Sequence, residues 1–357
     1  VPVAPLDIDA VDALVNSGNA VEIFDGRTLT GWRLLGDADY SVDDSAILGV
    51  VGGGGQSFLV TESSFGDFVL DVELLCEDVG NSGIQVRSHV RDSGRLYGYQ
   101  IEIDSSERAW SGGLYDEARR GWLDDLSDNE AGRAAFRSGE WNAYRIACVG
   151  PHIRAWVNGV PTADHFDTAD LEGIIGLQVH SGNNTRVRWR GFALTDLGTR
   201  AWERDLDIDT NRGWTAEPGA SAWQRRSSGW TSSGEGVSTF GSDADHGDFA
   251  LRVRYRSQGD FVLLVRAAEG ARIPWNAVLA SVPSDPSVLR LFEGVGWVVV
   301  PPAGDDWQEL TVCAYGDRLV VHVDGQLVAE SRDVPGPESG RLVLAARGTE
   351  STMIESV

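Results

Sequence analysis

The chain has 357 residues, more than one ordinary domain needs and enough for two of about 100 to 200 residues each. Its 54 acidic residues face 30 basic ones, all Arg, and the formal charge of -24 repels phosphate backbones and anionic membrane surfaces, which argues against nucleic acid as a partner. No run of 18 apolar residues predicts membrane insertion, and Cys76, Cys148 and Cys313 lack metal or disulfide spacing and read as small buried hydrophobes.

The chain opens at Val1 without a charged-then-apolar leader, as an exported protein does once its signal peptide is gone, so a secreted or periplasmic location is the expectation. Residues 1–19 form an N-terminal segment with a short helix predicted over Ile8 to Val15. From Phe68 onward strands dominate: Phe68, Leu70, Val72 and Leu74 alternate with Asp67, Val69, Asp71 and Glu73. Ile84 and Val86 alternate with Gln85 and Arg87, and Tyr99, Ile101 and Ile103 with Gln100, Glu102 and Asp104. An Arg- and aromatic-rich loop follows, with Arg108, Trp110, Tyr115, Arg119, Arg120 and Trp122, before a predicted helix over Asp128 to Arg137. Alternation resumes over Tyr144 to Val157, Val-Asn-Gly at 157–159 signals a tight hairpin, and Ile175, Leu177 and Val179 alternate with Gln178 and His180.

Self-comparison shows the organisation. Gly31-Trp32 returns as Gly213-Trp214, and the segment beginning Gly66-Asp67-Phe68 returns from Gly247, at offsets of 182 and 181; Trp141, Val157-Asn158-Gly159 and Gly182 return as Trp307, Val323-Asp324-Gly325 and Gly348, offset by 166. The first copy therefore carries about 15 extra residues, near Arg108 to Arg137. The boundary is expected between Asp196 and Asn211, giving domains at 20–198 and 205–357. Short strands, tight turns and few helices predict an all-β fold of two tandem antiparallel jelly-roll sandwiches.

If their strands adjoin, Gln85, Arg87, Gln100, Glu102, Asp104, Gln178 and His180 share one sheet face. The second copy supplies a control: where the first reads Leu177-Gln178-Val179-His180 it reads Val343-Leu344-Ala345-Ala346, and its counterpart of the Glu102 strand, expected at Asn276 to Val282, carries no carboxylate. A merely solvated face would stay polar in both copies, so the cluster reads as a site and the second copy as a scaffold without reagents. Aromatic rings stack on sugar faces and Arg and Asp bond hydroxyls, so the neighbouring loop suits a carbohydrate.

Phe24-Asp25-Gly26-Arg27-Thr28-Leu29-Thr30-Gly31-Trp32, Gly66-Asp67-Phe68, Asn81-Ser82-Gly83-Ile84, Gly98-Tyr99-Gln100, Gly139-Glu140-Trp141-Asn142 and Gly176-Leu177-Gln178-Val179-His180 resemble the 3-keto-disaccharide hydrolase domain family. The resemblance spans residues 20 to 195. It implies a concanavalin A-like jelly roll, in exported bacterial proteins, acting on glycosides whose sugar is oxidised at the 3-position. On that reading Glu102 or His180 removes and returns protons, Arg87 and Gln178 bind an oxyanion and hydroxyls, and Asp104 holds a hydroxyl or a cation. Gln85, Gln100, Arg108, Trp110 and Tyr115 complete the substrate site, and carboxylate with imidazole would also suit a divalent cation as cofactor. Two alternatives remain at this point. Glu102-Ile103-Asp104-Ser105-Ser106-Glu107 also resembles the E-x-D-x-x-E strand of retaining β-glucanases, and a lectin-like protein would bind glycan in both copies without turnover.

Overall fold

The computed structural model describes residues 7–77, 80–182, 185–201, 213–216, 222–227, 229–233, 236–259, 261–267, 289–292, 295–300, 305–332, 334, 337–347 and 352–357. The chain divides into two compact units, Leu6–Ala201 and one built on Trp202–Val357. In each, two antiparallel sheets face one another.

In the first unit one sheet, the back sheet, runs in the order Val160–Phe166, His152–Val157, Asn142–Val149, Asp67–Cys76, Arg186–Gly198, Ala46–Val50, Asp39–Asp43, with Asn19–Val21 paired to Arg186–Gly198. The front sheet runs Gly121–Asp124, Leu114–Glu117, Leu96–Asp104, Asn81–Val90, Gly173–Val179, Ser57–Phe65, Trp32–Leu35. The period of two decides which residues meet between them: Phe68, Leu70, Val72 and Leu74 from the back sheet are buried against Ile84, Val86, Tyr99, Ile101, Ile103, Ile175, Leu177 and Val179 from the front. Each such aliphatic burial contributes about 1.5 to 3 kcal/mol. The helix Ile8–Ser17 is capped by Asp7, whose carboxylate accepts from Ala10 N at 2.8 Å, and is tied to the back sheet by Asp12 to Arg145 at 2.6 Å. The second helix is shorter than the sequence predicts, Glu130–Ala135, and starts at an Asn129 cap. The Asn158-Gly159 turn has both residues at positive φ, 51° and 79°, as a tight hairpin matched to strand twist requires.

Two readings need correction. The segment after Glu102 is not simply a loop: Leu114–Glu117 and Gly121–Asp124 form a hairpin that widens the front sheet by two strands. Arg87 does not share the outward face with Gln85. The pairing register shifts between Val86 and His89, and Arg87 sits at φ 45°, so this bulge turns its side chain inward. There, fully buried, it pairs with Asp67 at 2.9 Å and donates to the carbonyls of Gly66 and Gly150, while Gly150 N donates to the same Asp67 oxygen.

The second unit has sheets ordered Trp214–Ala216, Val237–His246, Gly340–Arg347, Phe261–Ala267, Val295–Val300, Leu289–Phe292, and Ala222–Arg226, Gly229–Ser233, Thr352–Ser356, Phe249–Ser257, Gln308–Tyr315, Arg318–Val323, Gln326–Ser331. It repeats the buried tie: Arg266, at φ 54°, pairs with Asp248 at 3.1 Å and donates to the carbonyls of Gly247 and Gly316, and Gly316 N returns to Asp248. The expected counterpart of the Glu102 strand, Asn276 to Val282, lies outside the described residues, as does Trp275. The position beside Phe261–Ala267 is held instead by Val295–Val300, a run that has no carboxylate and includes Trp297.

Candidate functional site

The cluster forms because the three strands adjoin: Asn81–Val90 pairs with Leu96–Asp104 on one side and Gly173–Val179 on the other. Gln85 stands opposite Gln100, Gly83 opposite Glu102, and Gln178 opposite Gly83. The absence of a side chain at Gly83 is what admits the Gln100 amide, since a Cβ there would lie 2.3 Å from Gln100 Cδ. This face is not bathed in water. Glu102 is 4% exposed, Gln100 2% and Gln178 1%, so their polarity has to be satisfied by protein or by ligand.

A cleft of about 220 Å³ opens here, lined by Glu102, Gln100, Gln178, His180, Arg108 and Tyr115, all expected from the sequence, together with Gln56, Asn81, Glu117 and Trp122. Glu102 Oε1 accepts from Asn81 Nδ2 at 2.5 Å and Arg108 Nη2 at 3.1 Å; Oε2 accepts from Gln100 Nε2 at 2.8 Å. Burial pushes its pKa up to about 7, with the Asp104 charge acting in the same direction and the amide donors and Arg108 opposing. Asp104 is the contrast. Its burial acts upward too, but hydrogen bonds from Ser106 and Arg108 outweigh it and hold the carboxyl below its ordinary value. Arg108 thus joins the two carboxyls, through Nη2 to Glu102 and Nε to Asp104 at 2.7 Å, and rests over the rings of Trp110 and Trp122 at 4.9 and 5.1 Å.

Trp122, Trp110 and Tyr115 make edge-to-face contacts, Trp122 lying 4.8 Å from Trp110 and 5.1 Å from Tyr115. Trp122 and Tyr115 reach the cleft, while Trp110 supports them from behind without lining it. Glu117, in the hairpin, has its pKa raised by burial against the pull of Arg95 at 3.3 Å and of His180. His180 Nδ1 donates to the Ser181 carbonyl at 2.7 Å, so Nδ1 carries a proton. Gln178 Oε1 is buried without a hydrogen-bond partner, the one polar atom of the lining in that condition among the described residues.

Four expected residues take other parts. Arg87 is a core tie and cannot meet a ligand; Gln85 is fully buried behind Gln100, donating to its Oε1 at 2.5 Å; Trp110 and Asp104 hold Arg108. Arg119 and Arg120 are likewise committed, both to Asp116, with Arg120 also on Asp167 at 2.7 Å and Arg119 on Asp170 at 2.6 Å. A cation does not fit the acidic pair, because the Arg108 guanidinium already bridges the two carboxyls and supplies the positive charge there. Glu107, the last residue of the glucanase-like pattern, is exposed in the turn after the strand ends at Asp104 and does not line the cleft.

Asn81, Gln56, Glu117 and Trp122 escape a reading by alternation because Asn81 begins its strand and Glu117 and Trp122 lie in the hairpin that reads as loop. Asn81 has a signal nonetheless, standing opposite Asp104 two places from Gly83.

The profile of the 3-keto-alpha-glucoside-1,2-lyase-like domain matches residues 19–195. A candidate glycosyl hydrolase from Parabacteroides distasonis is 17% identical, with 52% of this chain and 97% of that one covered and a TM-score of 0.39. The carbohydrate-binding module CBM66 from Bacillus subtilis is 14% identical over 47% of this chain and 96% of its own, with a TM-score of 0.38. No curated protein matches.

Proposed function

Through residues 19–195 the chain belongs to the 3-keto-alpha-glucoside-1,2-lyase-like domain family, and from that premise we propose that the front-sheet cleft cleaves 3-keto-glycosides by elimination followed by hydration. The observation that supports this best is Glu102, a buried carboxyl with a pKa of about 7 in a cleft lined also by amides, aromatic rings, Arg, His and a second carboxyl, Glu117. A base of that strength is matched to proton transfer at neutral pH.

The 3-keto group acidifies the C2 proton. Glu102 takes that proton, and the C2 electron pair moves into the carbonyl as an enediolate, whose charge the guanidinium of Arg108, beside Glu102 in the lining, stabilises. Collapse of the enediolate forms C1=C2 and breaks the bond from C1 to the aglycone oxygen, which leaves with a proton from Glu102 or from a protonated His180. Addition of water across C1=C2 completes a net hydrolysis. Gln178 Oε1, otherwise unpartnered, accepts a sugar hydroxyl, and Trp122 with Tyr115 offers a face for a ring.

The test is incubation of the protein with paired native and 3-keto glucosides, reading released aglycone. Release from the keto series alone supports the proposal. Release from native glucans alone would turn the assignment to direct glycoside hydrolysis, and saturable binding without release to a lectin-like module.

A further inference from the structure

Behind Glu102 runs a line of buried polar side chains that the proposed chemistry does not itself use. Gln100 Nε2 donates to Glu102 Oε2 at 2.8 Å, Gln85 Nε2 donates to Gln100 Oε1 at 2.5 Å, and Ser88 Oγ donates to Gln85 Oε1 at 2.8 Å. All three residues are at most 2% exposed. We propose that Ser88, Gln85 and Gln100 form a two-state hydrogen-bond relay that keeps Glu102 satisfied both as carboxylate and as carboxylic acid, which makes them positioning residues for that group.

The argument starts from donor counting. With every donor aimed toward Glu102, the line suits an ionised carboxylate, which only accepts. A protonated Glu102 has an O–H to place on Oε2, and an N–H opposite it is then the wrong partner. An amide has nearly the same shape when its oxygen and nitrogen exchange places, so Gln100 can turn to present Oε1 to the acid and Nε2 to Gln85. Gln85 then turns in the same way and presents Nε2 to Ser88.

Such a chain reverses only if its far end can give as well as receive. Ser88 has that property: besides Gln85 Oε1, its hydroxyl lies 3.2 Å from the Val86 carbonyl and 3.2 Å from the Tyr99 carbonyl. In the reversed state Ser88 accepts from Gln85 and donates to one of these. Every group along the line keeps a partner in both states, and a half-satisfied buried network, the costly alternative, is avoided.

The charged or titratable groups around Glu102 are Asp104 on its own strand, Arg108 in the following turn, Tyr115 and Glu117 on the neighbouring strand, Tyr144 from the opposite sheet and His180 at the end of Gly173–Val179. Among the described residues none of them hydrogen-bonds the Gln85 or Ser88 side chain, so the orientation of these two reports on Glu102 through Gln100. The relay deepens the proposed function, resting on Glu102 as the group that gains and loses the proton. It lets one carboxyl act as base and then as acid with no orphaned group in either state.

Neutron diffraction of the deuterium-exchanged full chain at pH 5 and pH 9 tests this. At pH 9 the ND2 groups of Gln100 and Gln85 should point toward Glu102; at pH 5 both amides should be reversed, with the Ser88 deuteron on the Tyr99 or Val86 carbonyl. In crystals of Ser88→Ala, which has no acceptor for the reversed Gln85, the pH 9 orientation should persist at pH 5. One orientation at both pH values in the wild type, or reversal that survives Ser88→Ala, overturns the relay. The aglycone assay separates the two proposals: turnover of keto-glycosides with fixed amides sinks the relay alone, and reversal without turnover sinks the function alone.

Discussion

At the scale of single residues, Glu102 carries two expectations whose signs follow from its raised pKa. As a general base it must be ionised, so kcat/KM on a 3-keto-glycoside should fall as pH drops through about 7. Gln100→Leu removes a hydrogen bond that favours the carboxylate, and the acid limb of that profile should move to higher pH; an unmoved limb would mean another group titrates. The second expectation is thermodynamic. Because folding raises this pKa above its usual 4.5, the stability associated with neutral Glu102 is fully present below 4.5 and is lost as pH rises through about 7. Melting curves should therefore show Glu102→Gln gaining on the wild type between pH 5 and pH 8, while its turnover drops by about 10²-fold. Much of this was legible in the sequence, since alternation places Gln100, Glu102 and Gln178 on one face of adjoining strands. Burial was not legible: the same alternation marks a wet face, and only the hairpin with Trp122 and the Arg108 turn explains why this one is covered.

At the scale of elements, one bulge separates the residues that alternation reads correctly from the one it misplaces. Up to Val86 the strand keeps its period of two, and past it Arg87 points to the core, where Asp67 and two carbonyls hold it. No composition rule marks an Arg at positive φ, so the inversion could not be read from Gln-Val-Arg-Ser. Arg87→Met should lower stability by about 3 kcal/mol by leaving buried Asp67 with Arg200 as its remaining ion partner among the described residues, as chemical denaturation would show. If instead catalysis fell at unchanged stability, Arg87 would belong to the site. The turn that carries Arg108 gives the opposite pattern. Arg108→Ala should leave the fold intact, raise the pKa of Glu102 by removing a neighbouring positive charge, and weaken substrate binding, seen together as a higher KM and an acid limb displaced upward.

At the scale of the whole molecule, each unit has its own apolar core, the first around Phe68, Leu70 and Trp189 and the second around Trp214, Phe240 and Tyr255. Residues 6–201 expressed alone should retain turnover of a small keto-glycoside, and residues 202–357 should show none; activity in the second piece would place the chemistry elsewhere. The internal offsets made two sandwiches legible, whereas the strand beside Phe261–Ala267 was not, because its place is filled by Val295–Val300, well beyond the segment that sequence order suggests. The Arg–Asp tie common to the two units bears on how units of one shape can differ in chemistry. Within one sheet shape and chemistry are written on different residues: the anchor looks inward at Arg87 and Arg266, while the cleft is lined by Gln100 and Glu102 from the strand beside Arg87. A sheet of this kind can vary on its outer side, even losing every reactive group, without loosening the inner knot, so likeness of shape between such units is silent about what either one catalyses.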